Sequence, residues 1–161
     1  WLYQEGRYWL HRNEPERTLD CVRASEEHRR LAPFVAAFET LRAVALVDIG
    51  EEARAEVLLT DVIDSTDIRV VLDRARLARS TLSARTGRTS EAVADLHDVV
   101  DAAEAGGAAG VEMEARLSLV RLGVSDAERH LARATALTEE ADVVPRLAAL
   151  FDEVRAGGKA G

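Results

Sequence analysis

Four histidines, one cysteine and several paired carboxylates are the groups in this chain whose types could do chemistry. The histidines are His11, His28, His97 and His130, and none stands in the HExxH spacing that puts two zinc ligands on one helical face. His97 lies among Asp95, Asp98 and Asp101, and on a helix His97 and Asp101 share a face. That is the nearest approach to a metal cluster, and it reads as a solvated acidic face with no metal. Cys21 is the single cysteine, so an internal disulfide cannot form, and its helical context suits a small buried hydrophobe. No nucleophile elbow, phosphate loop or dinucleotide-binding glycine motif occurs; the stretch from Gly106 to Gly110 follows a helix, not a strand. Glu51-Glu52 and Glu139-Glu140 stand at helix ends, where carboxylates compensate dipoles or face water. The residues therefore predict no enzyme, no cofactor and no catalytic or metal site.

Charge narrows the partners further. The 161 residues carry a net charge of −8, which disfavours a nucleic-acid surface, because such surfaces depend on cationic contacts to phosphate. No apolar run reaches the roughly 18 residues of a membrane span, no basic amphipathic face suits a membrane surface, and no signal peptide opens the chain. A cytoplasmic location is expected. The first residue is Trp1 and the only methionine is Met113, so the chain is expected to be a piece of a longer one. Arginine abounds while Lys159 is the one lysine, a bias that points to a high-GC bacterial source.

The elements that must position any site are helical. Apolar residues make up 47% of the chain and aromatics only 4%, and spacings of three and four recur throughout. Helices are predicted over about 1–12 and 15–30, the second opened by Asn13 as cap with Glu16 in a capping box. Pro33 starts the next, with Phe34, Phe38, Leu41, Ala45 and Ile49 on one stripe, and Gly50 ends it. Its partner carries Ala55, Leu58, Leu59, Val62 and Ile63. Ile68 to Leu82 form the following stripe, closed by Gly87, and Thr89 or Ser90 caps a helix with Ala92, Leu96, Val99, Val100 and Ala103 inward. The segment 106–110 reads as the most flexible connector. Met113, Leu117 and Val120 then face inward, and Ser125 with Glu128 forms another capping box before Leu131, Ala134 and Leu137. Pro145 opens a last helix with Leu147, Leu150, Phe151 and Val154 on one side.

These segments repeat. Thr18, Ala55, Ala92 and Ala127 recur at intervals of 37, 37 and 35 residues, each with Val22, Leu59, Leu96 or Leu131 four positions on. A recurrence of that length marks paired helices stacked side by side, each pair hiding its stripe against the next. The predicted fold is all-α, a right-handed stack of antiparallel helix pairs with about nine helices in one domain over 1–161. The pairs span about 1–30, 33–64, 66–105 and 108–140, and a capping helix covers 145–156.

On the glycine-joined helical pairs, the small residue five positions on and the apolar residue four further, the chain resembles tetratricopeptide repeats over about residues 1–140. The family's first-helix aromatic, Gly and Tyr signature and its closing Pro are missing. The longer repeat looks like the helical modules of large bacterial multidomain transcriptional regulators, where such modules sit beside a nucleotide-switch domain and a DNA-binding domain. The resemblance implies a non-catalytic scaffold that binds protein or peptide, or other domains of its own polypeptide. Aligning the copies places Tyr3, Arg7, Thr40, Arg74, Arg85 and Arg121 toward a concave groove, where arginines could grip an acidic peptide. Two other readings stand beside it, a self-associating structural module that dimerises and a small-molecule sensor. Trp1, Tyr3, Tyr8 and Trp9 crowd the first helix and must pack on Phe34 and Phe38, on a preceding repeat, or on another copy.

Overall fold

Left-handed residues set the joints of this structure. The computed structural model describes residues 1–26, 32–139 and 144–157, and every regular element among them is helical. The α-helices are α1 (Leu2–His11), α2 (Pro15–Ser25), α3 (Ala32–Asp48), α4 (Glu52–Ser65), α5 (Arg69–Arg85), α6 (Thr89–Gly106), α7 (Ala109–Arg121), α8 (Ala127–Ala136) and α9 (Pro145–Gly157). A 3-10 turn, Leu137–Glu139, follows α8.

Five junctions close on a residue of positive φ, Gly107 of α6 among them; the other four are Asn13 at 60°, Gly50 at 81°, Gly87 at 79° and Gly123 at 71°. These four are the recurring turn positions of the sequence. The amide after each one donates to the carbonyl five residues back, as in Glu51 to Leu46 at 2.9 Å and Arg88 to Ser83 at 2.8 Å. The turn residue itself donates three back, for example Gly50 to Val47 at 3.2 Å. This paired pattern is the Schellman motif, which satisfies two of the carbonyls a helix leaves open at its end. In the first three joints the residue that closes the motif, Glu14, Glu51 or Arg88, is also the N-cap of the next helix. One residue thus ends one helix and begins another.

That economy corrects several sequence expectations. Asn13 does not cap α2; it closes α1, and the N-cap is Glu14 with no side-chain cap bond. Thr89 and Ser90 lie beyond the N-cap Arg88, and α8 is capped at Asp126, not Ser125, again without a side-chain bond. The segment from Gly106 to Gly110 is no loose connector. Helix α6 continues through Gly106, Gly107 closes it at φ 67°, and Ala108 is already the N-cap of α7. Helix α2 ends at Ser25, and the remainder of its expected span, apart from Glu26 at its C-cap, lies outside the described residues.

Removing the freedom at such a joint has a clear sign. A Cβ at Gly50 would meet nothing within 4 Å, so Gly50→Ala should cost about 1 kcal/mol from backbone strain alone. Gly50→Asn should cost less, since Asn13 already holds the equivalent conformation. Gly106 is helical and equally uncrowded, so Gly106→Ala should stabilise by about 0.5 kcal/mol. Thermal unfolding of the three variants checks both the order and the change of sign.

The chain divides into two compact units, Trp1–Leu82 and Ser83–Gly161. In the first, α1 packs on α2, α2 on α3 and α3 on α4. Gly6 permits a close approach: a Cβ there would stand 3.3 Å from Leu41 Cδ1 and 3.5 Å from Cys21 Cβ. The Thr18 hydroxyl donates to the Gly6 carbonyl at 3.2 Å, which ties α2 to α1 at that point. Helix α3 is buried on two sides, not along one stripe. Phe38 and Leu41 join Leu10 and Val22, while Ala43, Leu46 and Val47 join Ala55, Leu59 and Val62 of α4 and Val71, Ala75, Ala78 and Leu82 of α5. The expected stripe members Phe34 and Ile49 are exposed in consequence. Tyr3 meets the Phe38 ring edge-on at 5.5 Å, so one of the four front aromatics finds the predicted partner. Trp1 and Tyr8 stay exposed.

In the second unit α7 contacts α6, α8 and α9, and from Val111 to Leu119 it is buried except at the half-buried Glu114. Met113 and Leu117 pack with Ala134, Leu137, Leu147 and Val154, so α9 lays its expected face on α7. The recurring small residues Thr18, Ala55 and Ala92 are fully buried, as are Leu59 and Leu96; in the last copy Ala127 and Leu131 are only half-buried.

Candidate functional site

Of the six residues aligned to a groove, Tyr3, Arg7, Thr40 and Arg74 belong to the first unit and Arg85 and Arg121 to the second. Tyr3 is half-buried against Phe38. Arg7 is half-exposed and makes no ion pair among the described residues. Thr40 is buried, and its hydroxyl donates to the Ala36 carbonyl at 2.8 Å, so it presents nothing to a ligand. Arg74 is half-buried and Arg85 exposed. Arg121 lies 3.9 Å from Glu153 of α9, a surface pair worth little.

Two further sites stand out, one in each unit. The first is a cleft of about 650 Å³ between the N-terminal half of α3 and the C-terminal half of α4, closed by the linker to α5. Val35, Ala36, Leu58, Val62 and Ile68 give it apolar walls, and Asp61 and Asp67 give it an acidic rim, while Glu39 lines it beside Arg42 at 3.7 Å. Asp61 and Asp67 are exposed. The linker is held in shape by the Ile68 amide, which donates to the Thr66 hydroxyl at 3.3 Å, and by the Thr66 amide, which donates to the Val62 carbonyl at 3.0 Å.

The second is a buried polar cluster that joins α6, α7 and α8. Arg116 of α7 donates from Nη2 to Glu104 at 2.7 Å and from Nε to Glu112 at 2.8 Å. Its Nη1 stands 3.1 Å from His130 Nδ1. Arg133 of α8 also donates to Glu112, at 3.0 and 3.3 Å. Glu112, Arg116 and His130 are nearly inaccessible to solvent. Two cations and two carboxylates balance, and the imidazole completes the set.

The protonation states follow from the donors. A guanidinium has no acceptor, so His130 must present a lone pair at Nδ1 and carry its proton on Nε2. Asp126 lies 3.3 Å from Nε2 but outside hydrogen-bond geometry, so it supplies charge without a bond. Burial lowers the His130 pKa; Asp126 opposes this, while Arg116, His97 and Arg129 reinforce it. Burial alone would raise the Glu112 carboxyl, but hydrogen bonds from Arg133 and Arg116 outweigh it and hold the pKa below the ordinary carboxylate value. Cys21 is buried, and that burial, followed by Glu5 and Asp20, raises its thiol pKa. Such a thiol is a poor nucleophile.

Of the cluster residues only His130 was named from the sequence, as one of four histidines outside any metal-ligand spacing. Glu112 and Arg116 have the i,i+4 spacing of an ordinary surface pair. The available signal was their setting, since Val111, Met113, Ala115, Leu117 and Leu119 leave α7 without a polar face. His97, flagged for its aspartates, is exposed and lies with its ring 5.8 Å from that of His130. Among the described residues no group of three His, Cys, Asp or Glu side chains is placed to hold a metal ion, and no helix is long and apolar enough to cross a membrane. Compared with known proteins, the chain matches no family model, no curated protein and no solved structure.

Proposed function

We propose that this chain is a non-catalytic helical-repeat scaffold, a tetratricopeptide-like solenoid of stacked antiparallel pairs working inside a larger bacterial regulator. The regular left-handed joints at Asn13, Gly50, Gly87 and Gly123 support the repeat reading, as does full burial of the small residue in three copies. The observation that carries the binding role is the cleft between α3 and α4. Its apolar walls suit the side chains of a docked segment, and its exposed rim of Asp61 and Asp67 selects that segment's charge. The partner is therefore a peptide or protein segment with an apolar face flanked by Lys or Arg. This reverses the sign expected from the aligned arginines.

A labelled cationic amphipathic peptide and an acidic counterpart of the same apolar content test the proposal by fluorescence anisotropy. The cationic peptide should bind, and the double substitution Asp61→Lys and Asp67→Lys should weaken it roughly tenfold. Both aspartates are exposed, so the melting temperature should not move. Capture of the acidic peptide, untouched by those changes, would return the site to the arginines. Binding of neither, with light scattering that grows on concentration, would favour the self-associating module.

A further inference from the structure

The polar cluster of the second unit combines a buried imidazole with a neighbour that can only donate. We propose that protonation of His130 releases α8 from α7, making the packing of the second unit sensitive to pH below neutrality.

The geometry demands the neutral ring. Arg116 Nη1 donates to Nδ1 across 3.1 Å, and a protonated ring would turn an N–H toward that donor at the same distance. Arg116 cannot yield by turning another atom to the ring, because every polar atom of a guanidinium is a donor. It is also held by Glu112 and Glu104, so the movable partner is His130 and the helix that carries it.

The charges around the ring come from all three helices. On α8, Asp126, at its N-cap, favours the protonated ring, while Arg129 opposes it and Arg133 is engaged by Glu112. On α7, Arg116 opposes it and Glu112 is committed to two guanidinium groups. On α6, His97 faces the ring at 5.8 Å and opposes its protonation, while Glu104 is bonded to Arg116. Asp126 is half-exposed, and its charge is screened by water more than those of the buried groups. The balance keeps the packed ring neutral.

The sign follows. A ring whose pKa is lowered in the packed state costs nothing while both states are neutral. As pH falls below about 6.5, the opened state takes a proton that the packed state refuses, and packing weakens until the packed ring titrates as well. Glu112 has its pKa lowered from an ordinary value near 4.5, so its own loss belongs to more acidic solution.

Amide hydrogen exchange on the whole chain reads the release directly. Protection factors of the α8 amides should fall by up to about tenfold per pH unit between about pH 6.5 and pH 5, while those of α3 and α4 hold. His130→Asn offers an amide oxygen near the Nδ1 position and does not titrate, so its α8 protection should stay level. Equal falls in both proteins, or greater protection in acid, would overturn the proposal. Should the variant not fold, nitrogen spectra of the wild-type imidazole decide the matter. A proton on Nε2 and a midpoint below 6.5 support the proposal; a proton on Nδ1, or a midpoint at or above that value, removes it.

Discussion

Arg116→Met should lower the stability of the second unit by about 3 to 5 kcal/mol, the largest single loss expected from any polar position. The substitution keeps the apolar stem and deletes only the guanidinium. What remains is Glu112, almost fully enclosed and left to Arg133, together with a His130 nitrogen deprived of its donor. Glu104 is about half-exposed and can turn to water, so the damage falls on the groups that cannot. Adding Glu112→Leu should recover most of the loss, because a buried pair exchanged for apolar groups of similar size is often neutral. Urea unfolding followed by circular dichroism measures both proteins. If the double variant proved no more stable than Arg116→Met, the stranded carboxylate would not be the cause.

Leu59→Ala should cost about 3 kcal/mol, and Leu131→Ala, at the corresponding place in the last copy, less than about half of that. Leu59 is wholly enclosed by α3, α4 and α5 side chains, so truncation empties a space its neighbours can fill only in part. Leu131 is half-buried and already shares its surroundings with water. Both tryptophans, Trp1 and Trp9, belong to the first unit, so their fluorescence follows the Leu59 variant, while circular dichroism serves the other. Equal losses would mean that the last copy is packed like the first three.

The helices and their joints were legible because glycine at positive φ and apolar residues at spacings of three and four are local signals. Asn13 was misread for a physical reason. Asparagine both caps a helix start and tolerates the left-handed conformation at a helix end, and the sequence does not say which applies. Helices α3 and α7 were read as one-sided stripes, whereas each is covered by neighbours on more than one side. A small residue such as Ala43 or Ala115 is equally at home on either face, so the second buried side left little trace. That same ambiguity hid Glu112 and Arg116. Thr40 shows another limit: alignment on a turn fixes distance along a helix, but the neighbours decide which way a side chain points.

The Schellman joints leave this chain almost no slack. Where one residue closes a helix and caps the next, inserting a single amino acid beside Gly50 or Gly87 would extend a helix and swing its partner by about 100°. Natural or engineered length variation at those hairpins should therefore be punished far more than at ordinary surface loops, and tolerated insertions should avoid them.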